Sequence, residues 1–87
     1  MGMRRVEKIE YVLESFFASV YWVEASTNHA VASAYRVAAE RYQHAYFLLL
    51  ERQYQSANIV RAQARRQFAI AEAMRQGAGK TLDVLVA

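Results

Sequence analysis

Apolar residues recur at seven-residue intervals from the start of the chain. Val6, Leu13 and Val20 make one series, and Ile9, Phe16 and Val23 a second. Two such series form an a/d seam, the stripe one helix lays against another. Val12, Phe17 and Tyr21 flank it. The pattern predicts a first helix over about 3–24. It stops at Ala25-Ser26-Thr27-Asn28, where Ser, Thr and Asn oxygens suit the free amides of a helix start. Residues 25–28 therefore read as a turn carrying an N-cap. So short a turn makes the next helix the antiparallel partner of the first.

The second helical pattern begins near Asn28. Val31, Tyr35, Ala38, Tyr42, Ala45, Tyr46 and Leu49 share one stripe, with small Ala alternating with large Tyr so that two helices can interlock. Followed further, the same stripe reads Gln53, Ser56, Val60, Gln63, Gln67 and Met74 and turns polar. A first helix of about 33 Å covers only about residues 30–50 of its partner. Residues 52–76 then either overhang or fold back. The chain has no Pro, and its only glycines are Gly2, Gly77 and Gly79. With no breaker between 49 and 56, one continuous helix over about 29–76 is expected, although this far exceeds the usual length of about 11–12 residues. The alternative is a three-helix bundle. Proline at Gln53 is expected to separate the two, tolerated in the bundle and costing about 3 kcal/mol in a continuous helix. Gly77 suits the left-handed position after a helix end. Residues 77–87 then form a short apolar tail (Leu82, Val84, Leu85 and Val86), expected to dock on a neighbouring copy. The expected fold is thus all-α in one domain of 87 residues: an antiparallel helical hairpin with a long second helix, or a three-helix bundle.

Composition sharpens this picture. Hydrophobic residues make up 55% of the chain, above the usual ~45–50%, in a chain too short to bury a large share of its surface. Some apolar surface is therefore expected to be covered by another copy or partner. The candidates for self-association are Phe17, Tyr21, Trp22, Phe47, Leu50, Ile59, Phe68 and Ile70. The six Tyr and Trp22 supply apolar bodies with polar tips, and most fall near the hairpin seam.

Charge divides along the chain. The net value is +3, and all eleven bases are Arg except Lys8 and Lys80. Segment 52–80 holds Arg52, Arg61, Arg65, Arg66, Arg75 and Lys80 against Glu72, a net of +5. Segment 6–30 holds Glu7, Glu10, Glu14 and Glu24 against Lys8, a net of −3. Arg presents a planar fork suited to phosphate or carboxylate. Arg41, Arg52, Arg61, Arg65 and Arg66 are the candidate binding residues, and on one ideal helix Arg41, Arg52 and Arg66 project in nearly the same direction. The partner would be a nucleic-acid backbone, contacted without sequence readout, or the acidic first helix of a neighbouring copy.

Several chemistries are set aside. There is no Cys, hence no disulfide and no thiolate metal site. No apolar run reaches the ~18 residues of a membrane span; the nearest, Ser15–Tyr35, is broken at 26–29. The start MGMRRVEKIE lacks the apolar core of a signal peptide, Val6 does not complete a myristoylation signal, and the compartment is left open. Gly79-Lys80-Thr81 imitates the end of a phosphate-binding loop, but Met74 stands where its first Gly belongs and no strand precedes it. Glu40 and His44, with Glu51, Glu10 and Glu14, suggest a carboxylate/His metal site, yet the Glu-x-x-His spacing of metal-binding bundles is missing. Glu40 and Glu51 are expected instead to pair with Arg36, Arg41 or Arg52, and His29 reads as a turn residue. No Ser/His/Asp set is placed for catalysis, and Asp83 is the sole Asp. No enzyme, cofactor or small-molecule substrate is inferred.

The expected function is that of a non-enzymatic, self-assembling helical protomer, coat- or scaffold-like, with an Arg-rich segment for nucleic acid or an acidic neighbour. The alternatives are a small adaptor domain that holds a partner helix, and a carboxylate/His metal-binding bundle. Tyr54-x-x-Ala57 with Ala64 resembles part of helical-hairpin adaptors such as tetratricopeptide repeats, although Gln53 stands where Gly or Asn would precede the Tyr. In build alone, a short helical chain with separated acidic and basic ends resembles filamentous-virus coat subunits.

Overall fold

The computed structural model describes the backbone of residues 5–86 and the side chains of residues 8–77. Three helices follow one another: α1 (Arg5–Ala25), α2 (His29–Leu50) and α3 (Tyr54–Val86). The chain is all-α among the described residues. Helices α1 and α3 both pack on α2, which lies centrally. Tyr11 near the start of α1 meets Arg61 near the start of α3, and Trp22 near the end of α1 meets Arg75 further along α3. The order is therefore up, down, up, with α1 and α3 parallel.

The first reversal follows the sequence. The Asn28 side chain accepts from the amides of Ala30 (2.9 Å) and Val31 (3.1 Å), satisfying two donors a helix start leaves free. Helix α1 closes with the Ser26 amide bonded to the Trp22 carbonyl at 3.0 Å.

The second reversal corrects the expectation of one helix over 29–76. The chain turns at Glu51-Arg52-Gln53, and the three-helix alternative is the one formed. The Gln53 amide donates to the Leu48 carbonyl (2.8 Å) and the Arg52 amide to that of Leu49 (3.1 Å). This pair of bonds is the Schellman motif, which needs a left-handed residue after the helix cap. Arg52 takes that role with φ 62°. Gly is the usual occupant, so an Arg there gives no breaker signal. Because the Gln53 amide is a donor in the motif, proline at 53 would damage this fold too and does not separate the alternatives.

The turn also resets the helical phase. Of the stripe that turned polar after Leu49 only Val60 is buried; α3 packs through Ala57, Val60, Ala64 and Ala71. Across from them α2 presents Ala38, Ala45 and Leu49. Ala57, Ala64 and Ala71 stand seven apart, as do Val31, Ala38 and Ala45, so small residues line the α2 and α3 faces and let the backbones approach closely. On α1 the fully buried residues are Val12 and Ser19, the latter donating to the Ser15 carbonyl at 2.8 Å. Ile9 and Phe16 pack on the lower core cluster and Val23 on the upper one.

Helix α3 does not stop at Gly77. Its backbone continues to Val86, so the expected tail at 77–87 is instead mostly the last turns of a 33-residue helix. Gly lowers helix propensity by about 1 kcal/mol but does not end a propagating helix. At 1.5 Å per residue α3 is about 50 Å long and α1 about 32 Å. The long dimension of the molecule, 51 Å, is thus set by α3. The tail side chains (Leu82, Val84, Leu85 and Val86), Lys80, and Val6 of the α1 seam lie outside the described side chains.

Candidate functional site

Three features of the described surface are candidates: the arginines, a cleft between α1 and α3, and the large apolar residues that face outward.

The straight stripe of Arg41, Arg52 and Arg66 is not formed, because the turn places them on three different elements. Arg52 sits in the reversal itself and is exposed. Arg41 on α2 reaches across to Gln63 on α3 at 3.5 Å. Gln63 and Arg66 are three apart, hence neighbours on one helix face. Arg41 and Arg66 therefore share one side of the α2–α3 pair. Arg65 is exposed on another face of α3, and Arg61 is half-buried, with its guanidinium 5.2 Å from the centre of the Tyr11 ring. Its Nε is buried without a hydrogen-bond partner, so the ring face is what holds this cation. Neither Glu40 nor Glu51 pairs with an Arg; among the described residues the one ion pair is Arg75–Glu72 at 3.0 Å.

Helices α1 and α3 leave a cleft of about 280 Å³ between them, lined by Tyr11, Glu14, Ser15, Ala18, Tyr42 and Phe68. Burial pushes the Tyr42 phenol above its ordinary 10.0, while Ser15 and the charges of Arg65 and Arg61 pull the other way. One end of this parallel pair is closed by a cluster that the sequence reading did not find. The fully buried Tyr35 hydroxyl donates to Glu72 Oε1 (2.6 Å) and accepts from Arg75 Nε (2.9 Å). Arg75 also lies 4.0 Å from the centre of the Trp22 ring, and Trp22 stacks on Tyr35 with centroids 5.9 Å apart. All three helices meet there. Burial, then the bond to Glu72, raises the Tyr35 pKa above 10.0. The i, i+3 spacing of Glu72 and Arg75 was visible, but a continuous helix keeps residues 35 and 72 apart by about 55 Å. This cluster is a structural clamp, since Tyr35, Glu72 and Arg75 bond to one another across α2 and α3.

Of the eight residues expected to drive self-association, two turn inward. Trp22 belongs to the clamp, and Phe68 packs against both core clusters and edge-on to Tyr35 at 5.5 Å. The other six are exposed: Phe17 and Tyr21 at 62%, Ile59 at 61%, Leu50 at 51%, Phe47 at 49% and Ile70 at 44%. The distribution is inverted relative to an ordinary core. Half of the buried hydrophobic set is alanine (Ala38, Ala39, Ala45, Ala57, Ala64 and Ala71), while these larger side chains stay outside.

The metal reading gains no geometry: no three His, Asp or Glu side chains converge among the described residues. Glu10 and Glu14 are exposed on α1, Glu14 beside the cleft, and Glu40, His44 and Glu51 are exposed along α2 and its cap. His29 is the exposed first residue of α2. No described helix is long and apolar enough to cross a membrane. Compared with known protein families, curated proteins and solved structures, the chain matches none of them.

Proposed function

We propose that this chain is a non-catalytic helical protomer that associates with copies of itself. The observation that carries the reading is the inverted distribution of apolar residues. Phe17, Tyr21, Phe47, Leu50, Ile59 and Ile70 stand exposed on outward faces of all three helices and at the second turn. Single exposed apolar residues are ordinary, but six large ones on an 87-residue chain indicate surface that is covered in use. Exposed Arg41, Arg52, Arg65 and Arg66, none of them ion-paired within the described chain, favour an acidic surface or a phosphate backbone as a further partner.

A second reading has one observation in its favour. A monomeric adaptor that holds a partner helix requires the chain to reverse near 51–55, and it reverses at 51–53. Size exclusion with light scattering, and absorbance at 260 and 280 nm across the peak, separates the readings. A mass well above the 10.0 kDa of one chain supports self-association, and excess 260 nm absorbance adds nucleic acid. A monomer at every loading concentration refutes the first reading and promotes the adaptor.

A further inference from the structure

The outer face of α1 has a regular composition. Glu10, Glu14, Phe17, Tyr21 and Glu24 are spaced by alternate steps of four and three residues, which puts them on one stripe. All five are exposed. The stripe pairs two aromatic side chains with three carboxylates and contains no base. On α3, Ile59, Gln63, Arg66 and Ile70 follow the same alternation and are also exposed. Arg41 joins this second stripe through its bond to Gln63. It pairs two isoleucines with two guanidinium groups and contains no acid. None of these charges has an ion-pair partner within the described chain.

We infer that the α1 stripe of one copy docks on the α3 stripe of the next, in a head-to-tail contact. This deepens the self-association reading and rests on it. Charge selects the pairing. A two-fold contact of α1 with α1 would bring Glu10, Glu14 and Glu24 against their own kind, and one of α3 with α3 would oppose Arg41 and Arg66. Like charges across an interface are strongly unfavourable, whereas the α1-to-α3 contact joins acid to base around an apolar centre. The two stripes lie on different helices, α1 and α3, with Arg41 of α2 reaching only the second, so one copy can use both at once. A contact between two different patches leaves a free patch at each end and propagates into a ring or filament.

The test is a charge exchange. Glu10→Arg with Glu14→Arg makes one variant; Arg41→Glu with Arg66→Glu makes the other. All four positions are exposed, and helical circular dichroism checks that both variants fold. Each variant alone is expected to need about tenfold or more protein to assemble than the parent chain. Mixed in equal amounts, they regain acid-to-base contacts at both stripes, and assembly returns to the parental concentration. Assembly of either variant alone at the parental concentration, or a mixture that stays monomeric, overturns the head-to-tail contact and leaves self-association through another face. A parent chain that is itself monomeric overturns both.

Discussion

Replacing Tyr35 by Phe isolates the clamp at the end of the α1–α3 pair. The ring, and with it the stacking on Trp22 and the edge contact with Phe68, is kept. Only the hydroxyl is lost, with its 2.6 Å bond to Glu72 and its 2.9 Å bond from Arg75. Hydrogen bonds to charged groups contribute about 1.5–3 kcal/mol each, but less where the partners can be re-solvated. Glu72 and Arg75 keep their mutual bond and are 29% and 31% exposed, so water can replace the missing hydroxyl. The expected loss is therefore about 1–2 kcal/mol in total. Unfolding entropy near about 2.1 cal/mol/K per residue gives about 180 cal/mol/K for this chain, so the midpoint should fall by about 5–10 °C. Thermal unfolding followed by circular dichroism at one fixed protein concentration reads the shift, because association makes the midpoint concentration-dependent. Tyr21→Phe, at a side chain 62% exposed, is the control and should barely move it. A Tyr35→Phe midpoint within about 2 °C of the parent would refute the hydroxyl as a tie between α2 and α3.

Arg52→Gly should stabilise the chain by about 0.5–1 kcal/mol, since a left-handed non-Gly residue costs about 1–2 kcal/mol and Gly returns part of that as unfolded-state entropy. Urea denaturation measures it, and a loss of stability would contradict the reversal at 51–53. Ala64→Leu, at a fully buried position of the alanine seam, should destabilise by about 1–3 kcal/mol by forcing α2 and α3 apart; a neutral result would contradict their close approach. Stability should also decline above pH ~10. Tyr35 and Tyr42 have phenol pKa values raised by burial, so the unfolded chain releases these protons first and the folded state loses ground as pH rises. Their contribution is complete below the ordinary pKa. A double Phe replacement at 35 and 42 should flatten the urea midpoint between pH 9 and 11, and an undiminished slope would refute the assignment.

The all-α class, the first reversal and the α2 stripe were legible because each rests on a strong local signal. Seven-residue spacing marked α1, and Asn28 is a side-chain cap with a direct chemical role. The second reversal was not legible. Its left-handed residue is Arg52, and the bonds that hold it run between backbone groups that any sequence possesses. That one hidden turn propagated into the rest. It shifted the buried face of α3 onto Ala57, Ala64 and Ala71, dispersed the arginine stripe, and brought Tyr35 to Glu72 and Arg75. Ile59 and Ile70 do lie outside, but the expectation rested on an overhanging helix, whereas they are exposed because α3 folds back on α2 through Ala57, Ala64 and Ala71. Phe68 was misplaced because only the fold-back brings it to α2, whereas Trp22 turns toward Val31 and Tyr35 of α2, which the first reversal already supplies, and the fold-back adds Ala71 and Arg75.

The most direct test of the central claim is sedimentation equilibrium of the unmodified chain over a hundredfold range of concentration, at low and at high salt. Self-association through mixed apolar and charged faces predicts a weight-average mass that climbs with concentration and climbs less steeply at high salt, as screening weakens exposed ion pairs. A mass fixed at the 10.0 kDa of one chain across the whole range would contradict it, and the outward apolar residues would then belong to a different partner.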